Sequence, residues 1–164
     1  MTSHLTLRPD RYDSPDAVAL TEQVQRFYVD IYGGPDGTPF TADDFAPPKG
    51  GFLVGYLDDR PVAMGGWYFA PYASPAGADR AAEIKRMFVA DEARGRGFGR
   101  AVLGALEDDA RAAGADWMVL ETGGPQVAAV ALYRGCGYVD IAPYGFYADS
   151  PKVISLGKPL RPRS

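Results

Sequence analysis

The sequence predicts an α/β fold in which helices cover a mixed β-sheet. Residues 51–57 and 62–69 read as two strands joined by a short polar turn, which is typical of a hairpin. Downstream of that hairpin, apolar strand-like runs alternate with stretches of helical periodicity. A hairpin followed by alternating strands and helices favours a mixed sheet. With 164 residues and 46% hydrophobic content, the chain suits one domain over 1–164, with a core at 5–160.

The N-terminal part predicts one strand, one long helix and an irregular segment. The strand covers 5–8, and the helix begins after Ser14, a plausible N-cap that Pro15 follows. Its apolar face comprises Leu20, Val24, Phe27, Tyr28 and Ile31. Gly33 and Gly34 then end the helix. Residues 35–51 mix Gly, Pro and Asp, and predict at most a short helix at 41–45.

The C-terminal part predicts alternating strands and helices. After a loop at 70–80, the elements are a strand at 83–89, a helix from about Ala101 to Gly114 and a strand at 116–122. A helix at 126–134, a strand at 135–138 and a strand at 153–156 follow, and a tail begins at Lys158. The first of these strands meets its helix through the glycine-rich turn ADEARGRGFGR. That turn is the chemically informative part of the chain.

The glycine-rich turn predicts an anion site. The first N–H groups of a helix lack intrahelical partners and lie at the positive end of the helix dipole, where they can hold a phosphate. Glycines remove the β-carbons that would keep an anion away, and arginines add positive charge. The turn carries three of each: Gly95, Gly97, Gly99, Arg94, Arg96 and Arg100. The alternative is a solvated surface turn.

Two common phosphate loops do not match this turn. A P-loop requires Lys and then Ser or Thr after its last glycine, whereas Arg100 and Ala101 follow Gly99. The dinucleotide motif GxGxxG places a third glycine where this chain has Arg100. The turn instead matches Q/R-x-x-G-x-G/A, with Arg94, Gly97 and Gly99 in that order.

A second segment strengthens this match. The run ALYRGCGY at 131–138 is similar to A-x-x-L-Y-x-x-x-G-F/Y, and EIKRMFV precedes the glycine-rich turn. Over about residues 53–160 the chain therefore resembles the GCN5-related N-acetyltransferase (GNAT) superfamily, in particular its small bacterial members of unassigned substrate. The resemblance implies a GNAT fold of about six to seven strands and about four helices. Its sheet is expected to splay between the strand ending near Val89 and the strand ending near Glu121.

The resemblance implies acetyl-CoA as the acetyl donor, with its pyrophosphate on the turn and its pantetheine arm along the preceding strand. The residues expected to contact it are Met87, Phe88, Val89, Arg94, Gly95, Arg96, Gly97, Phe98, Gly99, Arg100 and Gln126. Gln126 departs from the family, because many members have Asn there. The reaction implied is direct attack by a primary amine on the thioester in a ternary complex.

Three residues are candidates for proton transfer. The attacking amine must be neutral, and a carboxylate can accept its proton directly or through water. Glu83 lies eleven residues before Arg94, which is the spacing of the catalytic glutamate in the histone-acetylating branch. A salt bridge is the alternative role for Glu83, and Glu121 is the second candidate base. Tyr133 matches the family tyrosine that protonates the departing thiolate, and packing is its alternative role.

Composition limits the classes of molecule that this protein is expected to bind. A net charge of −4 and a pI near 4.9 argue against nucleic acid as a partner. One cysteine, Cys136, and one histidine, His4, predict neither a disulfide nor a metal site. Without an apolar run of roughly 20 residues or a signal-peptide core, the expected setting is the cytoplasm, away from membranes. A homodimer is compatible with the family resemblance.

The acceptor is less well predicted. The acidic residues Asp43, Asp44, Glu83 and Glu121 favour a small cationic amine if they converge. Aromatic residues at the end of the hairpin, namely Trp67, Tyr68, Phe69 and Tyr72, belong either to the core or to an acceptor pocket. Two alternatives stay open: a non-catalytic sensor or partner-binding module that binds acyl-CoA, and an enzyme acting on a protein or peptide amine.

Overall fold

The computed structural model describes residues 4–73, 75 and 78–160. Its strands are β1 (Leu5–Pro9), β2 (Gly50–Leu57), β3 (Arg60–Phe69), β4 (Ala81–Val89), β5 (Trp117–Gly123), β6 (Val139–Asp140) and β7 (Val153–Pro159). Its α-helices are α1 (Pro15–Tyr32), α2 (Phe98–Ala112) and α3 (Val127–Gly135). The strands form one seven-stranded sheet in the order β1-β2-β3-β4-β5-β7-β6. The predicted mixed α/β fold is confirmed.

The sheet splays between β4 and β5, as the resemblance to the GNAT superfamily implies. This is the parallel pair of the described sheet, and its register covers only Ala81–Glu83 against Trp117–Val119. Beyond that point β4 continues to Val89 beside β3, while β5 continues to Gly123 beside β7. The two strands therefore separate, and the edge of β4 that faces β5 has no strand partner over its second half.

The two faces of the sheet have separate hydrophobic cores. Alternate residues of a strand point to opposite faces. On β2, Phe52 therefore packs with Leu20 of α1, whereas the neighbouring Leu53 packs with Val102 and Leu103 of α2. Helix α1 and helix α2 thus cover opposite faces and fix the strands between them.

The first helix has the boundaries that its caps predict. Ser14 Oγ accepts a hydrogen bond of 3.2 Å from the Ala17 N–H, and Gly33 ends the helix with a φ of 81°. Fewer helices form than expected, since the described residues contain three α-helices rather than about four. Segment 41–45 contains a 3₁₀ turn at Ala42–Phe45, and another covers Asp91–Ala93.

Two boundaries near the C-terminus were predicted wrongly. Residues 135–138, expected to turn into a strand, are the end of α3 and its turn, where Gly137 has a φ of 96°, and the strand itself is β6. The tail expected from Lys158 is part of β7, because Lys158 pairs with Met118 and its Nζ lies 3.0 Å from Glu107 Oε1. Residues 74, 76 and 77 of the predicted loop and 161–164 of the predicted tail lie outside the described residues.

Candidate active site

A cavity of about 520 Å³ lies where β4 and β5 separate. Four of the predicted site residues line it: Met87 from β4, Glu121 from β5, and Gln126 and Tyr133 from the start and body of α3. Parallel strands that diverge open a crevice at their carboxyl ends, and this crevice is where α/β sheets commonly bind ligands. The fold therefore brings residues that are far apart in sequence to one concave site.

Glu83 lies at the closed end of the splay, where it is the last β4 residue paired with β5. Its carboxylate is only 2% exposed and accepts hydrogen bonds from two phenols, Tyr72 to Oε1 at 2.6 Å and Tyr144 to Oε2 at 2.8 Å. Lys85 Nζ is 3.8 Å from Oε2. The hydrogen bonds from the two phenols suit Glu83 as a base, and the contact with Lys85 corresponds to its alternative role in a salt bridge. Tyr144, which comes from the segment between β6 and β7, was not predicted from the sequence.

Burial raises the pKa of both phenols, and the nearby charge of Glu83 raises it further. Tyr72 and Tyr144 therefore stay protonated near neutral pH and act as hydrogen-bond donors. Donation from both sides fits an ionised carboxylate, which only accepts hydrogen bonds. Of the four hairpin aromatics, Tyr72 donates this hydrogen bond, and burial and the nearby charge of Glu83 also raise the pKa of the Tyr68 phenol.

The other three hairpin aromatics make contacts within the protein. Trp67 is buried and donates a hydrogen bond of 2.7 Å to Asp109 of α2. Arg80 stacks on the ring of Phe69 at 3.8 Å, and Tyr68 packs against Phe45. None of these three side chains is among the residues that line the cavity.

Glu121, the second candidate base, lies on the opposite wall. Its side chain accepts hydrogen bonds from two backbone N–H groups, those of Gly145 at 3.2 Å and Tyr147 at 3.1 Å. These contacts fasten the segment between β6 and β7 onto β5. A carboxylate occupied in this way is built into the loop that covers the cavity, which favours a supporting role for Glu121.

Tyr133 projects from α3 into the same cavity. It is 6% exposed, and its ring packs edge-on against Tyr138 at 5.8 Å. Burial raises the pKa of its phenol. The hydroxyl group makes no hydrogen bond to the part of the chain that the structure describes. It is therefore protonated near neutral pH and available to a ligand.

The glycine-rich turn has the backbone geometry of an anion site. Gly95 and Gly97 both adopt a φ of 79°, which L-residues with a side chain rarely adopt. Helix α2 starts directly after them at Phe98. Within residues 4–73, 75 and 78–160, no protein group accepts a hydrogen bond from the N–H groups of 95–97, and those of 98–100 begin a helix. These amides are free to bind an anion.

The side chains of the turn differ from the prediction in three places. Phe98 is buried against Leu57 and Val62, so only its main chain is available. A β-carbon on Gly99 would lie 3.0 Å from Leu132 Cδ2, so this glycine allows α2 to approach α3. Arg94 is bound by the protein itself, since its Nε donates to the Val89 carbonyl at 3.1 Å. Arg96 and Arg100 are exposed.

The β4 residues and Gln126 contribute unequally to the cavity. Met87 lines it, whereas Phe88 packs into the core on the α1 side. Val89 is half-buried. Gln126 donates a hydrogen bond of 2.9 Å from its Nε2 to Tyr32 Oη, so its amide links α1 to α3.

The predicted group of four acidic residues does not converge. Asp43 is exposed and pairs with Arg11 at 3.2 Å, and Asp44 accepts a hydrogen bond from the Thr41 N–H at 2.8 Å. Asp36 lines the cavity instead. Its position in a Gly- and Pro-rich segment without periodicity gave no signal in the sequence.

Asp36 is held by Tyr147 Oη at 2.5 Å and Thr38 Oγ1 at 2.6 Å, and Arg86 Nη1 lies 3.4 Å from it. Burial by itself raises the pKa of Asp36, but these hydrogen bonds and the Arg86 charge outweigh burial and lower the pKa. Asp36 is therefore ionised near neutral pH.

The described ranges contain neither a membrane-spanning helix nor a metal-binding group of side chains. None of their helices has the length and apolar character needed to cross a membrane. None of their His, Cys, Asp and Glu side chains forms a group of three or more that could hold a metal ion.

Comparison with known proteins identifies the family. Residues 19–138 match the Acetyltransferase (GNAT) family. An IAA acetyltransferase of Azospirillum brasilense is 36% identical over 143 residues, which cover 87% of this chain and 90% of that protein.

Two solved structures share the fold. One, from Klebsiella pneumoniae and assigned as an acyl-CoA N-acyltransferase, has a TM-score of 0.80 at 22% identity, covering 98% of this chain and 100% of that one. The other is a GNAT acetyltransferase from Elizabethkingia anophelis with acetyl-CoA bound, with a TM-score of 0.65 at 18% identity, covering 95% and 98%. The splayed sheet, the glycine-rich turn and these matches together show that the chain belongs to the GNAT family of acetyltransferases.

Proposed function

We propose that this protein transfers an acetyl group from acetyl-CoA to the primary amine of a small molecule, by direct attack in a ternary complex. The observation that carries this proposal is the cavity at the splay. Glu121 and Tyr133 line it, and Glu83 directly precedes Ile84 of its lining at the point where β4 and β5 separate. Strand β4 leads from there to the free amides of the glycine-rich turn. Membership of the GNAT family and the acetyl-CoA bound to a relative of the same fold support the donor.

The donor site combines two parts of the backbone. The amides of 95–100 would bind the pyrophosphate, with Arg96 and Arg100 nearby as exposed cations. The unpaired edge of β4 would bind the amide-bearing pantetheine arm in the manner of an added strand. Met87 is the best placed for this, because the Val89 carbonyl already accepts a hydrogen bond from Arg94.

Glu83 is the proposed general base. When bound, acetyl-CoA supplies an activated acyl carbon, and the protein must remove a proton from the amine that attacks it. The Glu83 carboxylate accepts hydrogen bonds from Tyr72 and Tyr144, which orient it, and it is located where the strands separate. Because it is 2% exposed, we propose that the proton reaches it through a bound water or one of the two phenols.

Tyr133 is the proposed general acid. The departing thiolate needs a proton or a strong hydrogen bond. Tyr133 lines the cavity, and burial keeps its hydroxyl group protonated by raising its pKa. Gln126 is proposed to support the site by holding α1 against α3 through Tyr32.

A thiol-release assay tests the proposal. Purified protein with acetyl-CoA is expected to release CoA thiol in the presence of one or more members of a broad panel of primary amines. On such an acceptor, Glu83→Gln is expected to lower kcat by about 10²-fold or more, and Glu121→Gln by clearly less. Tight CoA binding without thiol release from any amine would contradict turnover. A larger loss in Glu121→Gln than in Glu83→Gln would reassign the base.

A further inference from the structure

Strand β4 contains a bulge at the cavity wall. The register with β3 passes from Met64 opposite Phe88 to Gly66 opposite Lys85, so Gly65 alone lies opposite both Arg86 and Met87. In a regular strand, consecutive side chains point to opposite faces. Here four consecutive residues, 84–87, all line the cavity. The bulge therefore directs into the cavity a side chain that a regular strand would turn away from it.

The residue at the bulge is Arg86, with a φ of 57°. For a non-glycine residue this left-handed conformation costs about 1–2 kcal/mol. Such conformations persist where the surrounding structure enforces them, and they cluster at functional sites. A flexible glycine would fit this backbone more easily, so the identity of the side chain needs a separate reason.

Arg86 is buried without the hydrogen bonds that a buried guanidinium requires. It is 6% exposed, and neither Nε nor Nη1 has a hydrogen-bond partner among the described residues. Its ion contact is Asp36 Oδ2 at 3.4 Å, and the ring of Phe40 lies 5.1 Å away. Buried polar groups in native proteins are nearly always hydrogen-bonded. An anionic ligand would supply the acceptors that Arg86 lacks.

The other charges at the cavity already have partners. Lys85 donates to Thr38 Oγ1 at 3.3 Å and lies 3.8 Å from Glu83. Asp36 is bound by Tyr147 and Thr38, and Glu121 by two backbone N–H groups. Arg86 is ion-paired with Asp36, but its Nε and Nη1 donors make no hydrogen bond among the described residues.

We propose that the acceptor amine also carries a carboxylate, and that Arg86 binds this carboxylate. The inference rests on the proposed function and narrows its acceptor from small primary amines in general to amino acids and related amines. A planar carboxylate matches the donor fork of a guanidinium. A phosphate, with its greater negative charge, would lie against Asp36 and Glu121. A polyamine would place a second cation beside Lys85 and Arg86.

Paired acceptors test this assignment. α-Amino acids and ω-amino acids of increasing chain length are each compared with their carboxamides, which keep the amine and lose the negative charge. The native protein is expected to prefer at least one acid over its carboxamide by about tenfold or more in kcat/KM, which corresponds to about 1.4 kcal/mol. In Arg86→Gln this preference is expected to fall below about threefold, with KM for acetyl-CoA unchanged. Equal use of acids and carboxamides by the native protein would overturn the inference.

Two further variants control for folding and charge. Arg60→Gln removes an exposed arginine at the turn between β2 and β3 and is expected to keep the preference. Arg86→Lys keeps the charge but loses the fork, and is expected to retain only part of the preference. An acid preference that survives intact in folded Arg86→Gln would overturn the inference. If Arg86→Gln does not fold, the test rests on the acid preference of the native protein and on its partial loss in Arg86→Lys.

A binding measurement separates this inference from the proposed function. N-Acetylated amino acids and their carboxamides are added to the CoA-loaded protein and detected by saturation-transfer NMR, which requires no turnover. Acid-selective binding that is lost in Arg86→Gln would support the carboxylate site even if no amine were acetylated, in which case the proposed function alone fails. Binding of neither probe, or of both equally, would overturn the carboxylate site.

Discussion

The hydroxyl group of Tyr144 donates a hydrogen bond of 2.8 Å to Oε2 of Glu83, across 61 residues of chain. Tyr72 bonds the other carboxylate oxygen, and the two phenol rings stack with their centroids 6.1 Å apart. Both tyrosines lie outside the strands, one after β3 and the other between β6 and β7. The orientation of the proposed base therefore depends on loops that fold over the sheet.

We expect Tyr144→Phe to lower kcat by about tenfold, since a hydrogen bond to a charged group contributes about 1.5–3 kcal/mol and Tyr72 still holds the other oxygen. KM for acetyl-CoA should not change, because the donor site is on the glycine-rich turn and the edge of β4. Steady-state kinetics of native and variant protein on the same acceptor measure both quantities.

Tyr56→Phe is the matched control for that experiment. Tyr56 also donates to a carboxylate, Asp16 Oδ2 at 2.6 Å, but it lies in the core on the α1 side, and Asp16 is not a candidate catalytic residue. It should keep kcat while losing comparable stability. Equal kinetic losses in the two variants would indicate a general effect of destabilisation and would remove the positioning role of Tyr144.

Most of the fold could be predicted because its signals are local. Ser14 and Gly33 mark the ends of α1, and the β2–β3 hairpin follows from two apolar runs around a polar turn. The misplaced elements depend on tertiary contacts. Lys158 reads as the start of a polar tail, yet its backbone pairs with β5 and its charge pairs with Glu107 of α2.

The candidate site could be predicted only in part, for the same reason. Glu83, Tyr133 and the glycine-rich turn carry recognisable spacing. Asp36 and Arg86 do not, because a register shift between two strands is what directs Arg86 into the cavity. No periodicity in a single sequence reveals such a bulge.

Two glycine-to-alanine substitutions test the anion site on the glycine-rich turn. Gly97→Ala forces a side chain into a φ of 79°, so we expect a loss of about 1–2 kcal/mol in the free energy of unfolding and weaker CoA binding. Gly104→Ala is the control, since Gly104 lies inside α2 with open space around it and alanine there should stabilise the helix by about 0.5–1 kcal/mol. Calorimetric titration with CoA and thermal unfolding compare them. Unchanged CoA affinity in Gly97→Ala would argue against the backbone site.

Tyr133→Phe tests the general acid. We expect kcat to fall by about 10²-fold at saturating acetyl-CoA, with little change in KM, because the hydroxyl group acts on the departing thiolate rather than on the bound donor. The raised pKa of Tyr133 also predicts that the native enzyme keeps this acid protonated to at least about pH 10. An unchanged kcat in the variant would assign Tyr133 to packing alone.

Alkaline stability provides a test that does not depend on catalysis. Burial raises the pKa of Tyr138, and the charge of its hydrogen-bond partner Glu107 raises it further, while burial also raises the pKa of Tyr133. Because the folded pKa values lie above the unfolded value, the unfolded chain releases these protons first as the pH rises. The stabilisation is complete below about pH 10 and is lost progressively above it.

Tyr138→Phe separates the hydrogen bond from the titration. At pH 7 we expect a loss of about 1–2 kcal/mol, since Glu107 keeps Lys158 as a partner at 3.0 Å but loses the phenol at 2.8 Å. Above pH 10 the variant should lose stability less steeply than the native protein, because one titrating group is gone. Urea unfolding at a series of pH values measures both effects. Parallel curves for the two proteins would mean that Tyr138 titrates alike in the folded and unfolded chains, which its burial against Glu107 argues against.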